Sequence, residues 1–286
     1  MVVLVTGANG QLGQAIQAIA KKQSNSNFVF CSSADLDISN LENCQQVFSK
    51  YKPNYCINAA AYTAVDKAES EPEKAQLINV IGAKNLAEIC QKNKAILLHV
   101  STDFVFDGIK TRPYTEEDIP NPTGVYGKSK LDGEKAIQDV FDNYFIVRTS
   151  WVYSDFGNNF MKTMLRLASE RDSISVVNDQ IGTPTHALDL AEALYKIIIS
   201  KDKNLTKKDF GIYNFSNEGQ CSWYDFAKKI FEINAIAINL SPIPSTQFPT
   251  PAKRPKYSVL DKTKIKNSFD VMIDPWETAL IKHSLK

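Results

Sequence analysis

Charge of one sign, metal-ligating side chains, paired cysteines and long apolar runs are scarce in this sequence of 286 residues. Lys and Arg total 33 against 32 for Asp and Glu, a net charge of +1. No global excess therefore draws the chain to nucleic acid or to an anionic membrane, although a local basic pocket for a phosphorylated ligand is compatible with that balance. Cysteine occurs at 31, 44, 56, 90 and 221, an odd count without a C-x-x-C pair. That argues against a disulfide framework or a thiolate zinc site, fits a reducing compartment, and sets the expectation of a cytoplasmic protein. Three histidines without metal-ligand spacing give no basis for a catalytic metal. Apolar runs such as YKIIIS at 195–200 are far too short to span a bilayer. The opening MVVLVTGANG runs into a strand and a glycine loop, not through the regions of a signal peptide.

What is present is an alternation of periods. Val2 to Val5, Phe28 to Cys31, Tyr55 to Asn58, AILLHVST at 95–102 and YFIVRTS at 144–150 read as strands. Between them, helical spacing covers Gln11 to Lys22, NCQQVFSKY, 72–93 with Pro72 in its first turn, and about 124–140. This rhythm implies an α/β protein, a doubly wound parallel sheet covered by helices on both faces. Residues 1–150 are expected to form a dinucleotide-binding domain that also receives the helix near 186–200. After Trp151 the rhythm changes, and 151–286 is expected to form mainly a smaller substrate-binding lobe. Prolines in SPIPSTQFPTPAKRP, 241–255, suggest a fixed loop there and not a sheet core.

TGANGQLG places Gly7, Gly10 and Gly13 three apart, between the first strand and the first helix. In that context Gly7 permits the tight turn, Gly10 lets backbone approach a pyrophosphate, and Gly13 lets helix and strand pack closely. The first helical residues, Gln11 and Leu12, then offer free N–H groups and the positive end of the helix dipole. A plain glycine turn is the bland alternative. At the second strand end the sequence reads VFCSSADLD, with small residues Cys31, Ser32 and Ser33 where an acid often selects NAD. No acid there repels a 2′-phosphate and no arginine demands one, so NADPH is expected with NADH tolerated. Asp37 and Ile38 are candidates to flank the adenine, a turn or cap being the other reading of Asp37. In NAAAYTAVD, the alanines through Ala61, with Tyr62 and Thr63, let the chain run close to a bulky ligand, or merely pack closely.

HVSTDFVFDG sets Ser101, Thr102 and Asp103 at a strand end, where open parallel sheets bind ligands. About twenty residues later GVYGKSK opens the next helix, with Tyr126 and Lys130 one helical turn apart and Lys128 pointing elsewhere. Tyr-x-x-x-Lys alone is a frequent coincidence. A strand-end hydroxyl followed by this pair, in the same domain as the glycine loop, is a constellation. His99, inside an apolar strand, reads as structural, and His186 as helix-start packing.

TGANGQLG, INAAAYTAVDKAESEP, STDFVFDG, VYGKSKLDGEKA, RTSWVY, NNFMKTMLRLA, VVNDQIGTPT and PTPAKRP together resemble the extended short-chain dehydrogenase/reductases, and within them the dTDP-4-dehydrorhamnose reductase branch. The resemblance spans nearly the whole chain and implies a Rossmann-type fold. It further implies reduction of the C4 ketone of a dTDP-4-keto sugar by NAD(P)H. On that reading Tyr126 donates the proton. Lys130 lowers the tyrosine pKa and bonds the nicotinamide ribose, and Thr102 bonds the substrate oxygen. Asp103 lies beside it, and Trp151 lies against the sugar nucleotide. Arg254 suits the diphosphate, and Asn159 helps line the nucleotide pocket. Core, cap or surface positions are the ordinary alternatives for Trp151, Thr102 and Arg254. A homodimer is open. The magnesium link of some relatives is not carried over, because Ala15 and Leu188 stand where glutamates are expected. Reduction of another nucleotide 4-keto-6-deoxy sugar, or a non-catalytic nucleotide-binding regulatory role, remain the alternative readings.

Overall fold

β1 (Val2–Thr6) has Val3 through Thr6 buried without alternation, the signature of a strand covered on both faces. The computed structural model, which describes residues 1–201 and 206–284, places this strand inside a six-stranded parallel sheet. The other strands are β2 (Asn27–Phe30), β3 (Tyr55–Asn58), β4 (Ile96–Thr102), β5 (Tyr144–Thr149) and β6 (Gly211–Asn214). Their spatial order is β6-β5-β4-β3-β1-β2. The chain leaves β1 toward one edge for β2 and returns past it to β3, so the strand order reverses between β1 and β3. That reversal is the crevice where doubly wound sheets bind ligands.

Both faces are covered. On one, α1 (Gln11–Ala20) buries Leu12, Ala15, Ile16 and Ile19 at helical spacing. It shares a core with Leu190, Leu194, Ile197 and Ile198 of the helix Ala187–Lys201. On the other face lie α2 (Leu41–Tyr51), α3 (Pro72–Gln76), α4 (Gly82–Asn93) and α5 (Val125–Gln138). There Phe48, Leu86, Ile89 and Ile137 pack on Leu4, Cys56 and Leu97. The second half of the chain gives this sheet more than one helix. β6 is its sixth strand, and Ile265 and Phe269 of the helix Thr263–Phe269 join the first core. A separate apolar cluster holds Met161, Met164, Ile174, Phe226, Ile230 and Trp276.

Two local expectations are corrected. The stretch 72–93 is not one regular α-helix: Leu77–Ile81 forms a π-helical turn between α3 and α4. The inserted residue places Asn79 under the site, where its side chain bonds the N–H and carbonyl of Tyr62 at 2.8 and 3.1 Å and Ser129 at 2.9 Å. The proline-rich segment also begins as a strand. Asn239–Ile243 pairs in parallel with Ser173–Val177, Pro242 opposite Val176. A two-stranded ribbon has only edges, and an edge can carry a residue without an N–H.

Helix α5 is locked to the sheet by a buried ion pair. Arg148 of β5 forks onto Glu134 with Nε–Oε1 at 3.0 Å and Nη2–Oε2 at 2.6 Å, and Ser101 of β4 donates to the same carboxylate. Neither charge reaches solvent. Removing one partner strands the other, a loss of about 3–5 kcal/mol. Arg148→Met should therefore lower unfolding free energy by that amount in urea titrations. The Arg148→Met/Glu134→Leu double variant should recover most of it. A single-variant loss below about 1 kcal/mol would refute the pairing as the carboxylate's main counter-charge.

Candidate active site

The glycine loop follows β1 directly. Gly7 has φ +64°, and a Cβ there would lie 2.7 Å from the backbone of Ala59 and Ala60, so the loops after β1 and β3 touch across the crevice. A Cβ on Gly13 would stand 2.3 Å from the Gly7 carbonyl oxygen. At Gly10 the nearest atom is that same oxygen at 3.3 Å, which leaves the approach to the helix end open. No side chain caps α1, whereas Asn40, Asn159 and Ser222 cap the helices that follow them. A ten-residue helix that leaves its first N–H groups without a side-chain acceptor, at the switch point of a parallel sheet, fits a diphosphate group.

The predicted cofactor residues divide. Gln11, Leu12 and the three glycines are at that helix end. Asp37 is exposed and spends its carboxylate on the backbone N–H and hydroxyl of Ser39, at 2.9 and 2.7 Å, while Ile38 is buried against Gly82. The alternative reading of Asp37 as a turn residue thus describes its side chain. Ala61 and Thr63 flank Tyr62 in the loop after β3. The Tyr62 ring is buried beside Tyr126, and its hydroxyl donates to Glu71 at 2.8 Å. At the second strand end the Ser32 hydroxyl and N–H both donate to Asp35, at 2.7 and 2.9 Å.

Thr102, Asp103, Tyr126 and Lys130 come together at the carboxyl end of β4, all buried. The Thr102 hydroxyl donates to Asp103 Oδ1 at 3.0 Å and accepts from the Phe104 N–H at 3.2 Å. The Tyr126 phenol lies beside this hydroxyl. Burial pushes the Tyr126 pKa up to about 12; the Thr102 hydroxyl opposes this and the Asp103 charge adds to it. Lys130 turns away from the phenol: Nζ donates to the Val100 carbonyl at 2.7 Å and lies 3.2 Å from His99 Nε2. Burial lowers the Lys130 pKa to about 8, partly offset by Glu134. The expected direct lowering of the Tyr126 pKa by Lys130 is therefore corrected, because desolvation dominates at the phenol. Lys128 is exposed and pairs with Asp132 at 3.1 Å, as its position two residues after Tyr126 predicts.

Trp151 sits at φ +47°, and its indole stacks on Trp223, centroids 3.5 Å apart and planes 10° from parallel. A Cβ on Gly182 would enter that indole at 2.5 Å, which accounts for the glycine in NDQIGTPT. Asn159 caps the helix Phe160–Glu170 through the Lys162 N–H at 3.1 Å. Its amide donates to Gln11 Oε1 at 2.9 Å and to the Ser154 carbonyl at 2.6 Å. These bonds tie the glycine-loop helix to the second cluster through Asn159. Arg254 forks onto Asp66 at 3.0 and 2.8 Å and Nη1 also donates to the Ala252 carbonyl at 3.2 Å, which among the described residues leaves Nε and the second Nη2 N–H for an anion.

Sequence reasoning missed Glu134, Arg148 and Asn58. Glu134 was signalled by spacing: it lies eight residues after Tyr126, two turns along the same helix face. His99, read as structural, bridges Asn58 Nδ2 at 2.9 Å and Lys130 Nζ. His186, Asp189 and His283 bring ligand-type atoms within 4.8 Å of one another. The two imidazoles are stacked 3.9 Å apart with planes 9° from parallel, so one ion cannot lie in both ring planes.

A ligand crevice with an uncapped helix end on one side and a hydroxyl pair backed by lysine on the other defines a Rossmann-type protein of the extended short-chain dehydrogenase/reductase class. The chain belongs to the family described as RmlD substrate binding domain, whose model matches residues 1–285. It is 43% identical over 284 residues to a dTDP-4-dehydrorhamnose reductase of Aggregatibacter actinomycetemcomitans, covering 97% of this chain and 96% of that one. A crystal structure of a dTDP-4-dehydrorhamnose reductase from Clostridium acetobutylicum ATCC 824 is similar at TM-score 0.93 and 43% identity, over 99% of this chain and 98% of that one. Another, from Bacillus anthracis in complex with NADP, has TM-score 0.93 and 40% identity over the same shares.

Asp103 gives a stability test. Its carboxyl is fully buried, Oδ2 has no hydrogen-bond partner among the described residues, and burial raises its pKa to about 6. An unfolded Asp titrates near ~3.9. The folded state therefore holds the extra proton between these values, and native stability is lost as pH rises from about 4 to about 6. The loss, on the order of 3 kcal/mol, is complete above that range. Asp103→Asn should reduce the fall in urea stability between pH 4 and pH 8 by that amount. An undiminished fall would assign it to other groups.

Proposed function

We propose that this chain reduces the C4 ketone of dTDP-4-dehydro-L-rhamnose to dTDP-L-rhamnose with NADPH, NADH being tolerated, as the last step of dTDP-L-rhamnose synthesis. The observation that carries the chemistry is the Thr102–Tyr126 hydroxyl pair, buried at the mouth of the crevice that the glycine loop opens. Family membership and 43% identity to a named reductase support the substrate. The relative solved with NADP supports the cofactor, as does the uncapped α1 end.

When bound, NADPH would supply the hydride. The rest falls to this chain. Gln11, Leu12 and Gly13 present backbone N–H groups to the diphosphate beyond the turn of Gly7 and Gly10, where the Gly10 N–H is taken by the Gly7 carbonyl at 3.0 Å, and Ala61–Thr63 and Ile38 border the dinucleotide. Thr102 fixes the phenol and directs it at the ketone oxygen. Tyr126 holds its proton at neutral pH and releases it only to a stronger base, which a newly formed alkoxide is. Lys130, when protonated, balances the phenolate left behind and reaches the nicotinamide ribose. Arg254, aimed by Asp66, takes the substrate diphosphate, and Trp151 the nucleotide sugar. We place the reaction in the cytoplasm, since five free and buried thiols fit a reducing compartment. A homodimer belongs to the same proposal, motivated by exposed Leu77 and Ile81 one helical turn apart, and is read by light scattering.

Oxidation of NADPH by the purified protein, followed with a panel of nucleotide 4-keto sugars, tests the assignment. Tyr126→Phe should lose about 10²–10⁴-fold in kcat while NADPH affinity stays within about threefold, since the substitution removes a proton and little surface. Near-normal turnover in that variant would sink the role of Tyr126. No turnover of any 4-keto sugar by the parent protein would sink the reductase reading.

A further inference from the structure

The buried groups behind Lys130 form a connected line whose donors and acceptors can be counted. Thr6 Oγ1 donates to Asn58 Oδ1 at 2.7 Å. The Ala60 N–H, which can only donate, reaches both Thr6 Oγ1 and Asn58 Oδ1 at 3.2 Å. The atom of Asn58 on that side must then be its oxygen. Its amide nitrogen therefore faces His99 Nδ1 at 2.9 Å, and an amide nitrogen only donates. Nδ1 must accept. Burial depresses the His99 pKa, so the imidazole is neutral, with its single proton on Nε2. That N–H points at Lys130 Nζ, 3.2 Å away.

Nζ meets such a donor as an amine with a lone pair. An ammonium has none, so charging Lys130 requires the line to reverse. The Asn58 amide must turn over, giving up the Ala60 bond. We propose that Thr6, Asn58 and His99 form a hydrogen-bond line of fixed polarity that controls how readily Lys130 takes up a proton. Asn58 and His99 are positioning residues, acting through Lys130. This inference rests on the role given to Lys130 above.

The other groups around Lys130 do not replace this control. Glu134, one turn along α5, favours the ammonium, but its carboxylate is forked by Arg148 and bonded by Ser101. Tyr126, one turn back, is neutral at working pH, and Asp103 is engaged by Thr102. Burial acts in the same direction as the line. A lysine whose charge is opposed twice titrates within the working range. The alkaline limit of activity then belongs to Lys130, because turnover needs its cation and falls as pH rises through its pKa.

Two variants change the polarity. In Asn58→Asp, a carboxylate still accepts from Thr6 and Ala60 but also accepts from an Nδ1–H, which frees Nε2 to accept from Lys130. In His99→Leu, the N–H that faces Nζ, and with it the polarity of the line at the lysine, is removed without any added charge. The Lys130 side-chain resonance in lysine-labelled protein, identified by its loss in Lys130→Met, reports the proton affinity, and thermal melts verify folding. Both variants should raise the proton affinity of Lys130 at least about tenfold and move the alkaline limb of kcat upward by the same factor. An unchanged or lowered affinity in the folded variants overturns the proposal. So does a rise confined to Asn58→Asp, which added charge alone would explain. Failure of one variant to fold leaves the other to decide. A raised Lys130 affinity without turnover of any 4-keto sugar would retain the line and refute the reductase reading. Turnover with unmoved titration would do the opposite.

Discussion

Glu134 has no water to turn to, and the position of the catalytic helix depends on how that is resolved. A carboxylate in the interior is tolerated only with its lone pairs occupied and its charge matched. Here Arg148 supplies the charge from β5 and Ser101 a hydroxyl from β4, so one side chain ties α5 to two adjacent strands. A pair of this kind adds little net stability over apolar packing of the same volume. Its physical content is registry. With Glu134 pinned, Lys130 and Tyr126 follow one and two turns back on the same face, and their placement over the end of β4 is determined. Two glycines let the helix sit that close: a Cβ on Gly133 would be 2.1 Å from the Asn79 carbonyl oxygen, and one on Gly127 2.2 Å from that of Phe104.

The parts of this arrangement that are local in the chain were legible in it. Strand and helix periods, the glycine spacing and the Tyr126–Lys130 turn are each set within a few residues, and the structure has them where the sequence puts them. What escaped depends on partners far apart. The tie between Asn159 and Gln11 joins residues 148 apart, and nothing near Trp151 in the chain shows that Trp223 stacks on it. The sixth strand of the sheet comes from Gly211–Asn214, beyond an expected boundary at 150, because a four-residue strand carries no mark of which sheet it joins. The π-turn at Leu77–Ile81 escaped for a different reason: one extra residue barely disturbs helical periodicity. His99 looked inert since an apolar strand conceals which ring nitrogen meets which partner.

The electrostatics of the site favour a proton donor over a proton acceptor. The sequence suggested a lysine that makes Tyr126 more acidic, yet the phenol is buried beside the Asp103 carboxyl and is less acidic than in water. For a group that must deprotonate a substrate alcohol, this would be a handicap. For a group that must carry a proton until an alkoxide forms, it is the required state, because a weaker acid keeps its proton longer and the alkoxide is basic enough to take it. In the proposed reaction Lys130 matters after the transfer, when a phenolate needs a cation nearby in a medium of low polarity. A permanently charged lysine would acidify the phenol too early, and a permanently neutral one would leave the phenolate unbalanced. A lysine with a pKa of about 8, faced by a neutral histidine whose proton direction is set by Asn58, lies between those limits. The histidine and the asparagine belong to the strands that form the crevice, so the same backbone that shapes the dinucleotide site also sets the charge state of the lysine behind the tyrosine.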